Sequence, residues 1–185
     1  PGEHVNESYR RSLNLSRILW LSVPDGELLE LSKMDELNNK NLESQINRML
    51  QDERSKRMIH SFCAQWLNLR PFNKVTPSLK LYPLYDSLVN YYLPLEVEAY
   101  LNYLIQKNLS VTHLIDSDFS FLNQRLAQHY GIDGVIGQKI RKVTFGPEAP
   151  RGGLLTMGSI LKVTTDGFDT SPILRGAWIS KNIVG

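Results

Sequence analysis

Residues 41–69, NLESQINRMLQDERSKRMIHSFCAQWLNL, decide the fold class. Leu42, Ile46, Met49 and Leu50 recur at three- and four-residue spacing, and Ile59, Phe62, Trp66 and Leu69 repeat the pattern. Apolar residues so spaced fall on one side of a 3.6-residue helix, and that side must be buried against another element. Two such segments in succession predict amphipathic helices packed as a bundle.

The same period extends in both directions. Upstream, Leu15, Ile18 and Leu19 share one face. VPDGELLEL (23–31) reads as a stop and restart, where Pro24 ends one segment and Asp25 caps the next with Glu27 near its positive end. NNKN (38–41) reads as a connector. Downstream, the proline-spaced loop LRPFNKVTPSLKLYP leads into a segment from Tyr85 to about Lys107, with Val97, Leu101, Leu104 and Ile105 on one stripe. Pro94 inside it predicts a kink or two helices, the second starting near Pro94 with Glu96 and Glu98 in its first turn. A catalytic pair of glutamates is disfavoured, because residues two apart on a helix point in different directions. VTHLIDSDFSFLNQRLAQHYGID predicts a short helix, a turn at DSD and a further helix closed by Gly131 in a left-handed cap. GQKIRKVTF is the strand candidate, with Ile140, Val143 and Phe145 among basic residues. The expected fold is mainly α, a multi-helix bundle with at most a minor β-strand pair.

Composition narrows the function classes. With 42% apolar residues in 185, the chain has the material for a core. A net charge of +2 supplies no field for nucleic acid, and KIRK (139–142) reads as a solvated face. No apolar run reaches the length of a membrane span. The single cysteine, Cys63, excludes an internal disulfide, a cysteine-based zinc site and covalent haem attachment within this chain. In the helical stretch IHSFCAQWL it reads as a small hydrophobe. The opening PGEHVNESYRR and the unfinished close predict a piece of a longer polypeptide.

The closing block, RGGLLTMGSILKVTTDGFDTSPILRGAWISKNIVG (151–185), concentrates glycines, hydroxyls and two arginines. Gly152 and Gly153 admit backbone angles closed to other residues, and Thr170 and Ser171 can cap a helix whose first turn holds Pro172. Leu154, Leu155, Ile160 and Leu161 mark one helix there, and Leu174, Ala177 and Trp178 another. Arg151 and Arg175 are the leading polar residues, read first as a brace to Asp166 or Asp169 and second as an anion receptor. An exposed apolar patch is expected around Trp178 and Ile183. SILK (159–162) has the Ser-x-x-Lys spacing of acyl enzymes, but no KTG or SDN element accompanies it. His113 with Asp116, and His129 with Asp133, offer two metal ligands each where three or four are needed, so no metal site is expected. Met157 reads as packing before an axial haem ligand. Tyr82, Tyr85, Tyr91 and Tyr92 read as core, or as a platform for sugars.

LSRILWLSVPDGELLEL, RMLQDERS, FCAQWLNL, FLNQRLAQHYGIDG, RGGLLT, TSPILRG and the closing W-x-x-x-N-I-V-G together resemble a planctomycete-type family of large exported proteins of unknown function. The resemblance implies a helical domain over 1–146 and the truncated start of a second domain over 147–185, packed on the first. It also implies an extracytoplasmic (periplasmic or secreted) location and a c-type haem in a neighbouring domain, with no cofactor in this chain. The partners it implies are other domains of the same polypeptide. The expected role is a non-catalytic structural or interaction module of a cytochrome-associated protein. A hydrolase using the closing block and a carbohydrate-binding module are the alternatives.

Overall fold

The structure, a computed structural model, describes residues 6–146, 148–169 and 171–185. The chain divides into two compact units, Pro1–Ser61 and Phe62–Gly185. The first contains helices α1 (Glu7–Trp20), α2 (Gly26–Lys33) and α3 (Asn39–Gln51) and the start of α4 (Ser55–Trp66). Short polar side chains start its first three helices by accepting free amides: Asn6 from Ser8, Asp25 from Leu28 and Asn38 from Lys40. The expected connector NNKN is therefore the opening turn of α3, because its first Asn caps rather than interrupts the helix.

The core of this unit is Trp20, Leu28, Leu37 and Met49, flanked by Leu15, Leu19 and Leu31. α1 buries Ser8, Ser12, Ser16 and Trp20, and Ile18 of the expected apolar stripe is 64% exposed. Serines at four-residue spacing make a shallow face that lets a neighbouring helix approach closely. Ser12 and Ser16 donate to the carbonyls of Tyr9 and Leu13, so their burial leaves no hydroxyl unmet. Asp25 accepts Arg48 at 2.8 Å and Arg54 at 3.2 Å besides capping α2. The Arg54 guanidinium also lies 3.4 Å from the Trp20 ring centre.

The second unit is built around α5, Ser87–Gln106, which runs through Pro94 as one helix. Of the two expected outcomes, a kink or two helices, the second is thereby overturned. An internal proline costs about 3 kcal/mol, but Val89 and Leu93 before it and Val97, Tyr100 and Leu101 after it are all buried. Each such side chain contributes roughly 1.5–3 kcal/mol, so packing outweighs the interruption. After a 3-10 turn at Val111–Leu114 come β1 (Phe119–Leu122), α6 (Gln124–Tyr130) and β2 (Arg141–Thr144). The two strands pair antiparallel, with Ser120 opposite Val143 and Leu122 opposite Arg141. β1 is a correction to the expected turn followed directly by helix: four residues are too few to show an alternation before the Asn123 cap of α6, which follows at once. Gly131 closes α6 at φ +69°, as expected.

A 3-10 turn at Leu154–Thr156, α7 (Gly158–Val163), α8 (Pro172–Ile179) and a π turn at Ser180–Val184 complete the unit. Leu154 and Leu155 therefore do not share a helix with Ile160 and Leu161. Trp178 is buried and donates to the Leu67 carbonyl, while Trp66 donates to that of Asn182. Of the apolar patch expected around Trp178 and Ile183, Trp178 is thus buried and Ile183 half-buried, while Phe168, Ile173, Leu174 and Val184 are exposed. Gly152 and Gly153 are required by close approach: a Cβ would meet the Ser117 carbonyl oxygen at 2.1 Å or that of Ile115 at 2.4 Å, and Gly153 sits at φ +69°. Residues on both sides of the expected 146/147 boundary pack in this unit, which positions the site below. Among the described residues, no helix is long and apolar enough to cross a membrane.

Candidate functional site

A cavity of about 430 Å³ opens in the second unit between the loop before α5, the end of α6 and the segment from Arg151 to Arg175. Tyr82, Tyr85 and Tyr130 supply ring faces to its wall, and Arg151, Lys162 and Arg175 supply charge. Among the described lining residues there is no carboxylate. Gly158 and Gly167 line it with backbone, and both are closely packed behind: a Cβ on Gly158 would meet Leu93 at 2.5 Å.

Behind the wall lies a buried acid. Glu96 is 1% exposed on the inner face of α5. One carboxyl oxygen accepts the Ser120 hydroxyl at 2.7 Å and the other the Tyr130 hydroxyl at 2.5 Å. The Tyr130 oxygen in turn accepts the Gly158 amide at 2.9 Å. Burial raises the Glu96 pKa to about 7, against the two hydroxyl donors and the nearby Arg151 charge, which pull it down. Burial and Glu96 together push the Tyr130 phenol well above its usual range, so it is a fixed hydrogen-bond donor. Arg151 lies over the Tyr130 ring at 3.7 Å and donates one N–H to the Thr156 carbonyl at 2.8 Å. That bond ties the guanidinium to the turn that Gly152 and Gly153 permit.

Lys162 projects from α7 and is 6% exposed. Its ammonium donates to Asn90 Oδ1 at 2.6 Å and lies 3.9 Å from the Phe72 ring centre and 5.4 Å from that of Tyr85. Among the described ion pairs it has none. Burial lowers its pKa to about 8, a rare state for a lysine on a cavity wall. Asn90 is oriented by the Tyr85 hydroxyl, which donates to the same oxygen, and by its own donation to Asn73. His129 also lines the cavity, its Nδ1 buried with no hydrogen-bond partner among the described residues. Burial, then Arg125, hold its pKa below the usual histidine value.

The residues singled out from the sequence separate into two groups. Arg151 and Arg175 come together in the cavity wall. Asp166 and Asp169 are not among the described residues that line the cavity. Asp166 is exposed and its Oδ1 accepts the amides of Phe168 at 3.0 Å and Asp169 at 3.1 Å, which lowers its pKa and closes the turn at Gly167. Asp169 is exposed, and its carbonyl accepts the Thr165 hydroxyl. Arg151 makes no ion pair with either aspartate among the described contacts; its guanidinium is bound to the Thr156 carbonyl, and the Asp166 carboxylate to its own turn. Ser171 caps α8 by accepting the Leu174 amide at 3.2 Å. Thr170 lies outside the described residues. Ser159 of the Ser-x-x-Lys spacing is fully buried and its hydroxyl makes no described hydrogen bond, so it faces away from the cavity that Lys162 lines. Met157 and Cys63 are each 1% exposed, and burial pushes the thiol to about 12, which leaves it inert.

Two site residues lie outside those that the sequence singles out. The sequence places Glu96 at a helix start, although Leu93, Glu96, Val97 and Tyr100 fall on one face, so an acid on an apolar stripe is the available signal. Lys162 enters the sequence reading only through its spacing from Ser159. Its isolation among Ile160, Leu161 and Val163 is the corresponding clue.

A family model described as "PSD4: Protein of unknown function (DUF1592)" matches residues 7–132, more than half of the chain, and the chain belongs to that family. No curated protein and no solved structure matches it.

Proposed function

We propose that the second unit of this DUF1592-family chain is a binding module for a small organic anion, held in the cavity behind Tyr82 and Tyr85. The observation that carries this reading is a concave lining with three cationic side chains and no described carboxylate. Arg151 supports it most directly: one N–H is bound to Thr156 and the stacked guanidinium remains fixed over Tyr130, a preorganised fork for a carboxylate or phosphate. Lys162 adds a second desolvated cation. The tyrosine rings fit the ligand's planar or apolar body.

The helical framework expected from the sequence is then the carrier of a site rather than a scaffold alone. A hydrolase built on TTDGFDTS lacks support, because Asp166 and Ser171 use their side chains on a turn and a helix cap. Calorimetric titration with lactate and benzoate, against lactamide and benzamide, tests the proposal. The carboxylates bind, the amides do not, and Lys162→Met and Arg151→Gln each weaken binding at least tenfold, about 1.4 kcal/mol. Equal affinity for acids and amides, or none for either, overturns it.

A further inference from the structure

We propose that Lys162 forms an imine with a carbonyl compound that also carries a carboxylate, a small 2-oxo acid, in this cavity. The inference rests on the anion-binding reading above and names the ligand class. Three features of the site lead to it. Lys162 lies on the cavity wall yet is 6% exposed, so water stabilises its ammonium form less than that of a surface lysine. Its hydrogen-bond partner is a neutral amide oxygen, that of Asn90, at 2.6 Å. Aromatic rings flank it, Phe72 and Tyr85, with no carboxylate in ion-pairing reach among the described residues.

Arg151 and Arg175 share its cavity. Asp86 lines an adjoining recess with Lys162 but is engaged by Arg125 at 2.9 Å. The ring faces of Phe72 and Tyr85 favour the ammonium, and burial outweighs them, leaving the group at about 8. Near neutral pH a useful fraction of the amine is free, the condition for a nucleophilic lysine.

The step balances without a further reagent. The Nζ lone pair attacks the carbonyl carbon, a C–N bond forms, and the C=O π pair moves to oxygen, which takes a proton. That proton comes from the attacking nitrogen and gives a neutral carbinolamine; the proton that the ammonium had released then passes to the carbinolamine hydroxyl, which leaves as water as the nitrogen lone pair forms C=N, so the iminium carries the single positive charge that the ammonium had carried. Arg151 holds the carboxylate, and the Tyr85 hydroxyl shares Asn90 Oδ1 with Lys162, which places a phenol beside the amine.

The test incubates the whole chain with pyruvate and sodium cyanoborohydride, which reduces the iminium and fixes the adduct, followed by peptide mass mapping. Labelling is expected on the Lys162 peptide at least tenfold above exposed lysines such as Lys33 and Lys56, and absent in Lys162→Arg. Lactate, which has the carboxylate without the carbonyl, is titrated in parallel and is expected to protect Lys162. If lactate binds and Lys162 is labelled no faster than the exposed lysines, imine formation is refuted while the anion site stands. If neither lactate nor pyruvate binds, both readings fall together. Lys162→Arg that folds, binds lactate and still yields the adduct elsewhere in the cavity also refutes the assignment.

Discussion

Replacing Glu96 by glutamine should remove a pH dependence of stability that the buried carboxyl imposes. The folded chain holds this group at about 7 against an ordinary 4.5. At roughly 1.4 kcal/mol per pH unit, the difference corresponds to about 3 kcal/mol. The sign follows from which state holds the proton. Below 4.5 both folded and unfolded carboxyls are protonated and no penalty exists. Between 4.5 and about 7 the unfolded chain ionises while the folded chain keeps its proton, so stability falls as pH rises. Above that range the deficit is constant. His129, held below its usual value, works in the opposite direction and loses stability as pH falls through the ordinary histidine range. The observable is therefore the difference between the wild type and Glu96→Gln, measured by urea unfolding under far-ultraviolet circular dichroism at pH 5, 6, 7 and 8. Glu96→Gln should gain on the wild type by roughly 2–3 kcal/mol between pH 5 and 8, the remainder having accrued below pH 5. Tyr130→Phe removes a donor that favours the carboxylate, so its decline should extend to higher pH. Parallel curves for wild type and Glu96→Gln would refute the assignment of a desolvated acid behind the cavity.

Other perturbations test separate parts of the account. Gly153→Ala, at φ +69° and 2.4 Å from the Ile115 carbonyl oxygen, should destabilise the chain by about 3 kcal/mol, whereas Gly176→Ala, inside α8 with nothing within 4 Å, should stabilise it by roughly 0.5–1 kcal/mol, both read from urea midpoints. Asp25→Asn, which keeps a capping oxygen but drops the charge shared with Arg48 and Arg54, should cost about 1 kcal/mol, and Asp25→Ala, which also loses the cap, about 2 kcal/mol, by the same measurement. Lactate affinity should fall as pH rises through about 8, where the Lys162 ammonium loses its proton, and this fall should vanish in Lys162→Arg, as calorimetry at pH 7 and 9 will show.

The helical framework was readable because periodicity, caps and glycines carry their meaning locally. Asp25, Ser171, Gly131 and Gly153 act where their residue types place them. What escaped reading depended on packing between distant segments. The Ser8–Ser12–Ser16 face has no hydrophobic signature, and Phe119–Leu122 is too short to display an alternation before α6 begins. The site followed the same division. Arg151 and Arg175 were identifiable from a glycine-rich block, but their association with Tyr85, Tyr130 and Lys162 required the fold to join segments up to ninety residues apart. Asp166 carries the right chemistry for a brace, yet its carboxylate accepts the amides of its own turn, a contact between neighbouring residues that residue type alone does not distinguish from a distant one.

The central claim is that the cavity receives an organic anion through Arg151 and Lys162. Its most direct measurement is nuclear magnetic resonance of the isotope-labelled chain titrated with lactate, following backbone amides, arginine Nε–H and lysine Nζ signals. The account predicts saturable shifts confined to the Gly158 amide, Arg151, Arg175 and Lys162, absent with lactamide. Shifts scattered over the surface, or a cavity silent to saturating lactate, would contradict it.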